Sequence, residues 1–252
     1  MFLKLQGLVI VIFGVCAAVH LPPEIEKCSK SDPNFIECMK RTIRDTLVFL
    51  KNGNKELGFS TIDPFYVEKL ELIADSKTSV KLNQKYEHIY MYGFTTSEIR
   101  KFSLDYGVPG KTPCKWEIEI YTPASRMEAD YELNGQVLLF PINGKGRCNV
   151  TLERLLNKHV AQCELYTKKE KTHLRLKDYT IEMTAESCHF DFPNLIPGNE
   201  QISKEVSKTV NENSLEIFKD VKNGFEQMLS SLHQNAANNV FSKIPEEELF
   251  GA

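Results

Sequence analysis

The chain has 252 residues, 42% of them hydrophobic and 26% charged, and its formal net charge at pH 7 is −3. This length suffices for one large domain or two small ones. The slightly acidic balance gives no reason to expect a nucleic acid or another polyanion as a partner.

Residues 1–18 have the layout of a secretory signal peptide. Lys4 supplies the basic start, residues 8–15 form an apolar run, and Ala17 and Ala18 are the small residues before a cleavage point. The run is shorter than the roughly 20 apolar residues of a membrane span. The sequence therefore predicts a secreted, extracellular protein with a mature domain over residues 19–252 and no stable membrane insertion. An uncleaved membrane anchor is the alternative.

Export makes the cysteines informative, because disulfides persist in oxidising compartments. One of the seven, Cys16, lies in the predicted leader. Since no other sits in a Cys-x-x-Cys motif and no histidine lies at zinc-finger spacing, no metal site is predicted. A disulfide between Cys28 and Cys38 would staple the N-terminal segment to the first helix. Asn149 opens an Asn-x-Thr sequon and is a predicted glycosylation site.

The first predicted element is an amphipathic helix. Asp32 is its predicted N-cap, Pro33 takes the first helical position, and Asn52-Gly53 supplies the stop. The apolar face recurs at steps of three and four residues, as Phe35, Met39, Ile43, Leu47 and Leu50.

After this helix the hydrophobic period changes to two, which is typical of strands. Residues 80–92 alternate in part, residues 99–106 form a further run, and residues 116–121 alternate cleanly between apolar and polar side chains. A turn over residues 122–125 is predicted before the next strand, which covers residues 129–142.

Two hairpins complete the predicted sheet. The first has a bulge at Asn134-Gly135 and turns over residues 143–146. In the second, residues 148–167 and 172–192 pair around a turn at residues 168–171. Consecutive long strands joined by tight turns are antiparallel, and a long twisted sheet curls.

Counting back from the last turn places Cys148 near Cys188 across the strand pair. The sequence therefore predicts a second disulfide between these two residues. Cys114 and Cys163 are then left without an assigned partner.

The last long stretch, residues 199–241, has a helical period. Asn199 can cap the first turn, and Glu200 suits the positive end of the helix dipole. At about 1.5 Å of rise per residue this helix would reach on the order of 60 Å, so it needs the sheet as its partner surface. The alternatives are a coiled coil, or two helices broken near Asn213-Ser214 or Gly224. The order helix, sheet, long helix predicts one α+β domain.

Motifs of catalysis are missing from the sequence. There is no Gly-x-Ser-x-Gly elbow, no phosphate-binding glycine loop and no His-Glu-x-x-His. Cys188 and His189 are neighbours, but neighbours in a strand face opposite sides, which argues against a nucleophile and base pair. The sequence favours a protein that is not an enzyme and has no cofactor. A hydrolase built from scattered residues is the alternative.

The predicted helices and sheet each bring an apolar face inwards. A long helix and a curved sheet need not close without a gap, and such a gap would be an elongated apolar cavity suited to a lipid-like molecule. A filled core accounts for the same residues, and the pattern alone does not decide between the two.

Several segments have a recognisable order and spacing. They are Leu-Pro-Pro at 21–23 followed by Cys28 and Cys38, Glu-Leu-Gly at 56–58, Ile-Asp-Pro-Phe at 62–65, Ile-Tyr-Met-Tyr-Gly-Phe at 89–94, Phe-Pro-Ile-Asn-Gly-Lys-Gly at 140–146, Asn-Leu-Ile at 194–196, Asn-Glu-Asn at 211–213 and Phe-Ser-Lys-Ile-Pro at 241–245. Over nearly the whole mature chain, this set resembles the insect takeout and juvenile-hormone-binding protein family. The chain departs from the family pattern at Ser214, where a Trp is common, and in having Cys114 and Cys163.

The resemblance implies an elongated fold in which a highly curved antiparallel sheet wraps around a long C-terminal helix, as in the tubular lipid-binding proteins. It also implies an internal hydrophobic tunnel. The role it implies is non-catalytic, namely carrying small apolar molecules in haemolymph or another extracellular fluid.

Together, these features predict a secreted carrier whose partner is a small hydrophobic ligand, either a juvenile-hormone-like terpenoid or a fatty-acid-like lipid. Apolar burial would supply most of the binding, at about 25 cal/mol per Å², and Tyr92 or Tyr121 would orient a polar end. A secreted protein-interaction module with a filled core is the alternative, and no protein receptor is identified. The predicted ligand-binding residues are Trp116, Ile118, Ile120, Val206, Val210, Ile217, Val221, Met228 and Leu232.

Overall fold

A computed structural model describes residues 20–74, 79–107 and 114–251. The predicted signal peptide, residues 1–18, lies outside the described residues. The helices are α1 (Phe35–Phe49), α2 (Glu200–Glu212), α3 (Ser214–Phe241) and α4 (Glu246–Leu249). The strands are β1 (Phe65–Leu72), β2 (Val80–Tyr92), β3 (Glu98–Asp105), β4 (Cys114–Val137), β5 (Phe140–Lys168), β6 (Lys171–Thr184) and β7 (Ser187–Asp191).

These strands form one antiparallel sheet, whose centre is the long hairpin of β4 and β5. β4 has 24 residues and β5 has 29, and strands of this length coil rather than stay flat. β2 and β7 pair with the half of the hairpin nearest its turn, and β3 and β6 pair with the other half. β1 lies outside β2.

The sheet curves around α3, because this helix touches strands near both ends of the strand order. Gly224 packs against the side chain of Leu72 in β1. Phe225 contacts Tyr86 in β2, with ring centroids 5.6 Å apart. At the opposite edge α3 runs along β6. The structure confirms the predicted α+β fold with a curved antiparallel sheet around a long C-terminal helix.

The predicted turn over residues 122–125 is wrong, since β4 runs through this stretch without interruption. Pro123 was the sequence signal for a turn. It is the one residue of the stretch without a register partner in β5, a position that suits a residue with no N–H to donate.

The predicted hairpin turn over residues 143–146 is also wrong, because the chain turns at Leu138-Leu139 instead. Gly144 is a strand residue opposite Leu133. A Cβ at Gly144 would lie 2.7 Å from the carbonyl oxygen of Asn194. This glycine therefore serves a close approach of two chain segments rather than a turn.

α1 begins at Phe35, two residues after the predicted start, and its N-cap is Asn34. The carboxylate of Asp32 accepts the N–H of Asn34 at 2.7 Å, an Asx turn that precedes the helix. The predicted apolar face packs as expected on β3, where Phe35 meets Phe102 with ring centroids 6.2 Å apart.

The C-terminal stretch is two helices, as the alternative with a break near Asn213-Ser214 predicted, and a single continuous helix is wrong. The predicted cap is confirmed, because the Asn199 side chain accepts the N–H of Ile202 at 3.0 Å. Near the break, the side chain of Asn211 bonds both backbone groups of Phe190 in β7, each at 2.8 Å.

α3 hydrogen-bonds the open edge of β6 through a polar stripe that we call the edge stripe. Its members recur every four residues and bond backbone groups of β6 at 2.7 to 3.1 Å. Lys222 and Glu226 bond Met183, Ser230 bonds Ile181, Gln234 bonds Tyr179, and Asn238 bonds both backbone groups of Leu176.

The disulfide predicted between Cys28 and Cys38 is confirmed. A second disulfide joins Cys114 and Cys163, which are direct register partners on β4 and β5 with Cα atoms 4.8 Å apart. The sequence reasoning left this pair unassigned.

The predicted disulfide between Cys148 and Cys188 is wrong, since both residues are buried free thiols. Cys188 lies opposite Leu152, four residues along β5 from Cys148. At about 3.3 Å per strand residue, that offset is about 13 Å, which is beyond the reach of a disulfide.

We expect the mature protein to carry two free thiols. Alkylation in denaturant without reductant should add two groups, located by peptide mapping at Cys148 and Cys188. In the native protein the same reaction should be slow, because burial raises the pKa of each thiol to about 12. A mature protein that takes up no label when denatured would contradict the free pair.

Replacing Asn238 by Leu should destabilise the fold by about 1–3 kcal/mol, because both backbone groups of Leu176 lose their partner. The matched control is Asn235→Leu on the exposed side of the same helix, which should change stability little. Chemical denaturation of both variants measures the difference. Equal losses would show that the edge stripe contributes nothing specific.

Candidate functional site

Two apolar cavities lie between the sheet and the C-terminal helices. The main cavity has a volume of about 100 Å³, and the second cavity has about 50 Å³. Apolar side chains on the main cavity are Tyr86, Met91, Tyr92, Phe94, Met127, Val150, Leu152, Leu155, Met183, Phe190, Phe192, Phe218, Val221, Phe225 and Leu229. Those on the second cavity include Val80, Leu82, Leu133, Val137, Ile142, Leu195, Val210 and Ile217.

The wall between the two cavities consists of side chains. Tyr86, Phe190, Phe192 and Val221 line both. The Tyr86 hydroxyl donates to Gln84 Oε1 at 2.9 Å, and burial raises the pKa of this phenol, so it stays neutral. Since these four side chains line both cavities, changes in their rotamers would alter how the two spaces connect.

Both cationic side chains that line the main cavity have an acidic partner. Arg126 lies 3.1 Å from Glu128, and Lys222 lies 2.9 Å from Glu226. The lining charge is therefore neutralised within the protein, and the cavity presents an apolar surface with a few neutral polar groups.

One group of neutral polar side chains lies beside the main cavity. His159 Nδ1 and the Tyr179 hydroxyl are 2.8 Å apart. The ring of His233 stacks on that of His159, with centroids 5.8 Å apart and planes 10° apart. Asn157, which lines the main cavity, precedes His159 by two residues on the same face of β5.

Burial keeps both histidines uncharged. Desolvation, together with the neighbouring His233, lowers the pKa of His159 to about 3. Burial alone lowers the pKa of His233 to about 4. His233 nevertheless keeps some accessible surface, so its burial is less complete than that of His159.

Three of the predicted ligand-binding residues line the cavities. Val210 and Ile217 face the second cavity, and Val221 faces both. Val206 is 1% exposed within the same core. Met228 packs against that core without lining either cavity, and Leu232 is half-buried.

The other three predicted residues, Trp116, Ile118 and Ile120, lie on the inner face of β4 in a separate cluster under α1. Ile118 and Ile120 are the register partners of His159 and Asn157, so they border the polar group. As ligand contacts, all nine residues remain predictions.

The predicted polar anchors and the sequon also have defined positions. Tyr92 lines the main cavity. The ring of Tyr121 instead lies under the guanidinium of Arg100, whose central carbon is 3.4 Å from the centroid of the tyrosine ring. Asn149 sits in the middle of β5, between Glu128 of β4 and Asp191 of β7, and its glycosylation remains a prediction.

Sequence reasoning missed most of the lining, which comes from the strands. Met91, Met127, Met183, Phe190 and Phe192 all face the main cavity. The alternation of Cys188, Phe190 and Phe192 was a usable signal, because every second residue of a strand shares a face. Which of two faces encloses a cavity is decided by the curl of the sheet.

A sheet curled around a long helix with apolar space between them is the architecture that the sequence resemblance implied. Over residues 8–251, the chain matches the family model described as haemolymph juvenile hormone binding protein. The chain belongs to this family. Family membership places it among binding proteins that take small hydrophobic ligands.

Individual relatives agree with this assignment. The chain is 21% identical over 253 aligned residues to the circadian clock-controlled protein daywake of Drosophila melanogaster, covering 99% of this chain and 96% of the relative. Identity to daywake of Drosophila yakuba is 19% over 238 residues, covering 94% and 90%.

A solved structure supports the fold. The crystal structure of Takeout 1 of Epiphyas postvittana superposes with a TM-score of 0.76 at 18% identity, covering 90% of this chain and all of that one. Within residues 20–74, 79–107 and 114–251, no cluster of three or more His, Cys, Asp or Glu suits a metal ion. No helix in that part of the chain is long and apolar enough to span a bilayer.

The buried histidine pair should make stability fall in mild acid. Protonation favours the unfolded chain, where a histidine has a pKa of about 6.5, over the folded chain, where the pKa is lower. The two histidines therefore do not lower the free energy of unfolding above pH 6.5, and this free energy declines as the pH falls below that value. Between pH 7 and pH 5 the loss should be about 2 kcal/mol for each histidine.

Denaturation curves of His159→Gln/His233→Gln at the two pH values provide the measurement. The double variant should lose much less stability between pH 7 and pH 5 than the wild type. His189→Gln, at an exposed position, is the control and should behave like the wild type. An unchanged pH dependence in the double variant would contradict the assignment.

Proposed function

We propose that this protein is a secreted, non-catalytic carrier that binds a small hydrophobic ligand between its sheet and α3. The ligand is a juvenile-hormone-like terpenoid or a fatty-acid-like lipid. The observation that carries the proposal is the main cavity, which an apolar side of α3 and the inner face of the sheet enclose. Membership of a family named for juvenile hormone binding supports it.

Cavity size sets a condition on binding. Ligand pockets for drug-sized molecules have volumes of about 300–1,000 Å³, and the two cavities together are smaller. A terpenoid must therefore move the wall of Tyr86, Phe190, Phe192 and Val221. Met91, Met127 and Met183 favour such adjustment, since methionine side chains are unbranched and flexible.

Secretion is supported by two features. Residues 1–18 have the pattern of a signal peptide, and the two disulfides suit an oxidising compartment. An extracellular carrier would shield an apolar ligand from water, with binding that comes mainly from removing its surface from solvent.

Native mass spectrometry of the protein secreted by insect cells tests the proposal. A discrete mass excess that organic extraction converts into an identifiable lipid is the expected result. An apo mass, together with no uptake from an offered mixture of terpenoids and fatty acids, would refute the carrier role and favour a protein-interaction module with a filled core.

Val221→Asp should weaken binding of an apolar fluorescent probe by about tenfold or more, because an unpaired carboxylate would lie in the wall of both cavities. Asn223→Asp, on the exposed side of the same helix, should leave binding unchanged. Circular dichroism of both variants establishes that they are folded. A folded Val221→Asp protein with wild-type affinity would remove the cavities from the proposed site.

A further inference from the structure

Buried polar atoms without a protein partner gather on the inner face of the β4–β5 hairpin. Among the described residues, five side chains have such a buried atom, and three of these atoms are Trp116 Nε1, Asn157 Oδ1 and His159 Nε2. These three lie on successive inward rungs of one hairpin, where Ile120 pairs with Asn157, Ile118 with His159, and Trp116 with Ala161. Buried polar atoms normally have a partner, so their concentration indicates that another molecule supplies one.

The group is continuous with the main cavity. Asn157 lines that cavity directly. Phe94, also on its wall, lies 6.4 Å from the ring of His233, which in turn stacks on His159. His159 therefore lies one inward rung beyond Asn157 on β5, next to the wall of the main cavity.

We propose that Asn157 and His159 form a binding site for a single uncharged hydroxyl at one end of an apolar ligand, whose tail occupies the main cavity. This inference rests on the proposed carrier function and names the ligand class more closely. The ligand is an apolar alcohol rather than a plain hydrocarbon or an ionised fatty acid.

A hydroxyl matches the unpaired atoms. When the Tyr179 hydroxyl donates to His159 Nδ1, the neutral ring carries its proton on Nε2 and offers one donor. Asn157 Oδ1 offers one acceptor. A ligand hydroxyl both donates and accepts, so it can satisfy the two atoms together, whereas a hydrocarbon satisfies neither.

A carboxylate suits the site poorly. The histidines are neutral because burial lowers the pKa of His159 to about 3 and that of His233 to about 4. The two cations on the main cavity, Arg126 and Lys222, are held by glutamates. An ionised ligand would lose its hydration there and gain no opposite charge.

Competition of octane, octanol and octanoic acid against an apolar fluorescent probe at pH 7 tests this site. The readout is the ratio of octanol to octane affinity in each protein, which cancels general effects on the cavity. Asn157→Leu and His159→Leu should each lower this ratio about fivefold to tenfold, the effect of one lost hydrogen bond. Wild-type protein should bind octanol more tightly than octanoic acid.

Thr122→Val is the matched control. Thr122 also lines the main cavity, but its hydroxyl already bonds Ser97, with the oxygens 2.8 Å apart. Its loss should leave the ratio unchanged. If His159→Leu does not fold, Tyr179→Phe provides the second test, since removing the phenol releases His159 Nδ1 and should also change the ratio.

The outcomes separate the two proposals. Wild-type protein that binds none of the three compounds would overturn the carrier function itself. Binding of octane and octanol with an unchanged ratio in the variants would overturn the hydroxyl site alone. Tighter binding of octanoic acid than of octanol would show that the site takes a charged group, which also overturns the proposal.

Discussion

The structure depends on how one edge of its sheet is covered. An edge strand leaves N–H and C=O groups unpaired at every second residue, and β6 is such an edge. Four residues of helix rise about 6 Å, and two residues of strand rise about 6.6 Å. The two repeats are close enough for polar side chains at every fourth position of α3 to bond successive free groups of β6, from Lys222 and Met183 to Asn238 and Leu176.

This arrangement explains why apolar space remains inside the protein. The edge stripe ties α3 to the rim of the sheet, so the helix cannot sink onto the inner face, while the twist of β4 and β5 carries β1 and β2 around its other side. Gly224 removes the side chain that would strike Leu72 there. The helix thus meets the sheet at both sides, and Met, Phe and Tyr side chains line the space between them.

The chemistry of that space follows from the same geometry. On the inner rungs of β5, His159 is buried and Asn157 is half-buried, and the ring of His233 from α3 stacks on His159. His159 Nε2 and Asn157 Oδ1 are therefore desolvated without a hydrogen-bond partner in the protein. The fold is shared with Takeout 1 at 18% identity, so most side chains differ between the two proteins, which leaves room for such a group to select a ligand particular to this chain.

The sequence by itself determined the features that depend on local periodicity. These are the antiparallel pairing of consecutive long strands, the apolar faces of α1 and α3, the Asn199 cap and the disulfide within the first loop, because residues close in the chain decide them. Only the tertiary structure decided the features that depend on register and curvature. Pro123 and Gly144 were predicted to lie in turns, but both lie within strands because strand pairing continues past each of them. Cys114 bonds Cys163 because the two are register partners, whereas Cys148 and Cys188 are offset by four residues, or about 13 Å, along the strand. The cavities and their polar end belong to this second group, since a hollow forms between elements distant in the chain.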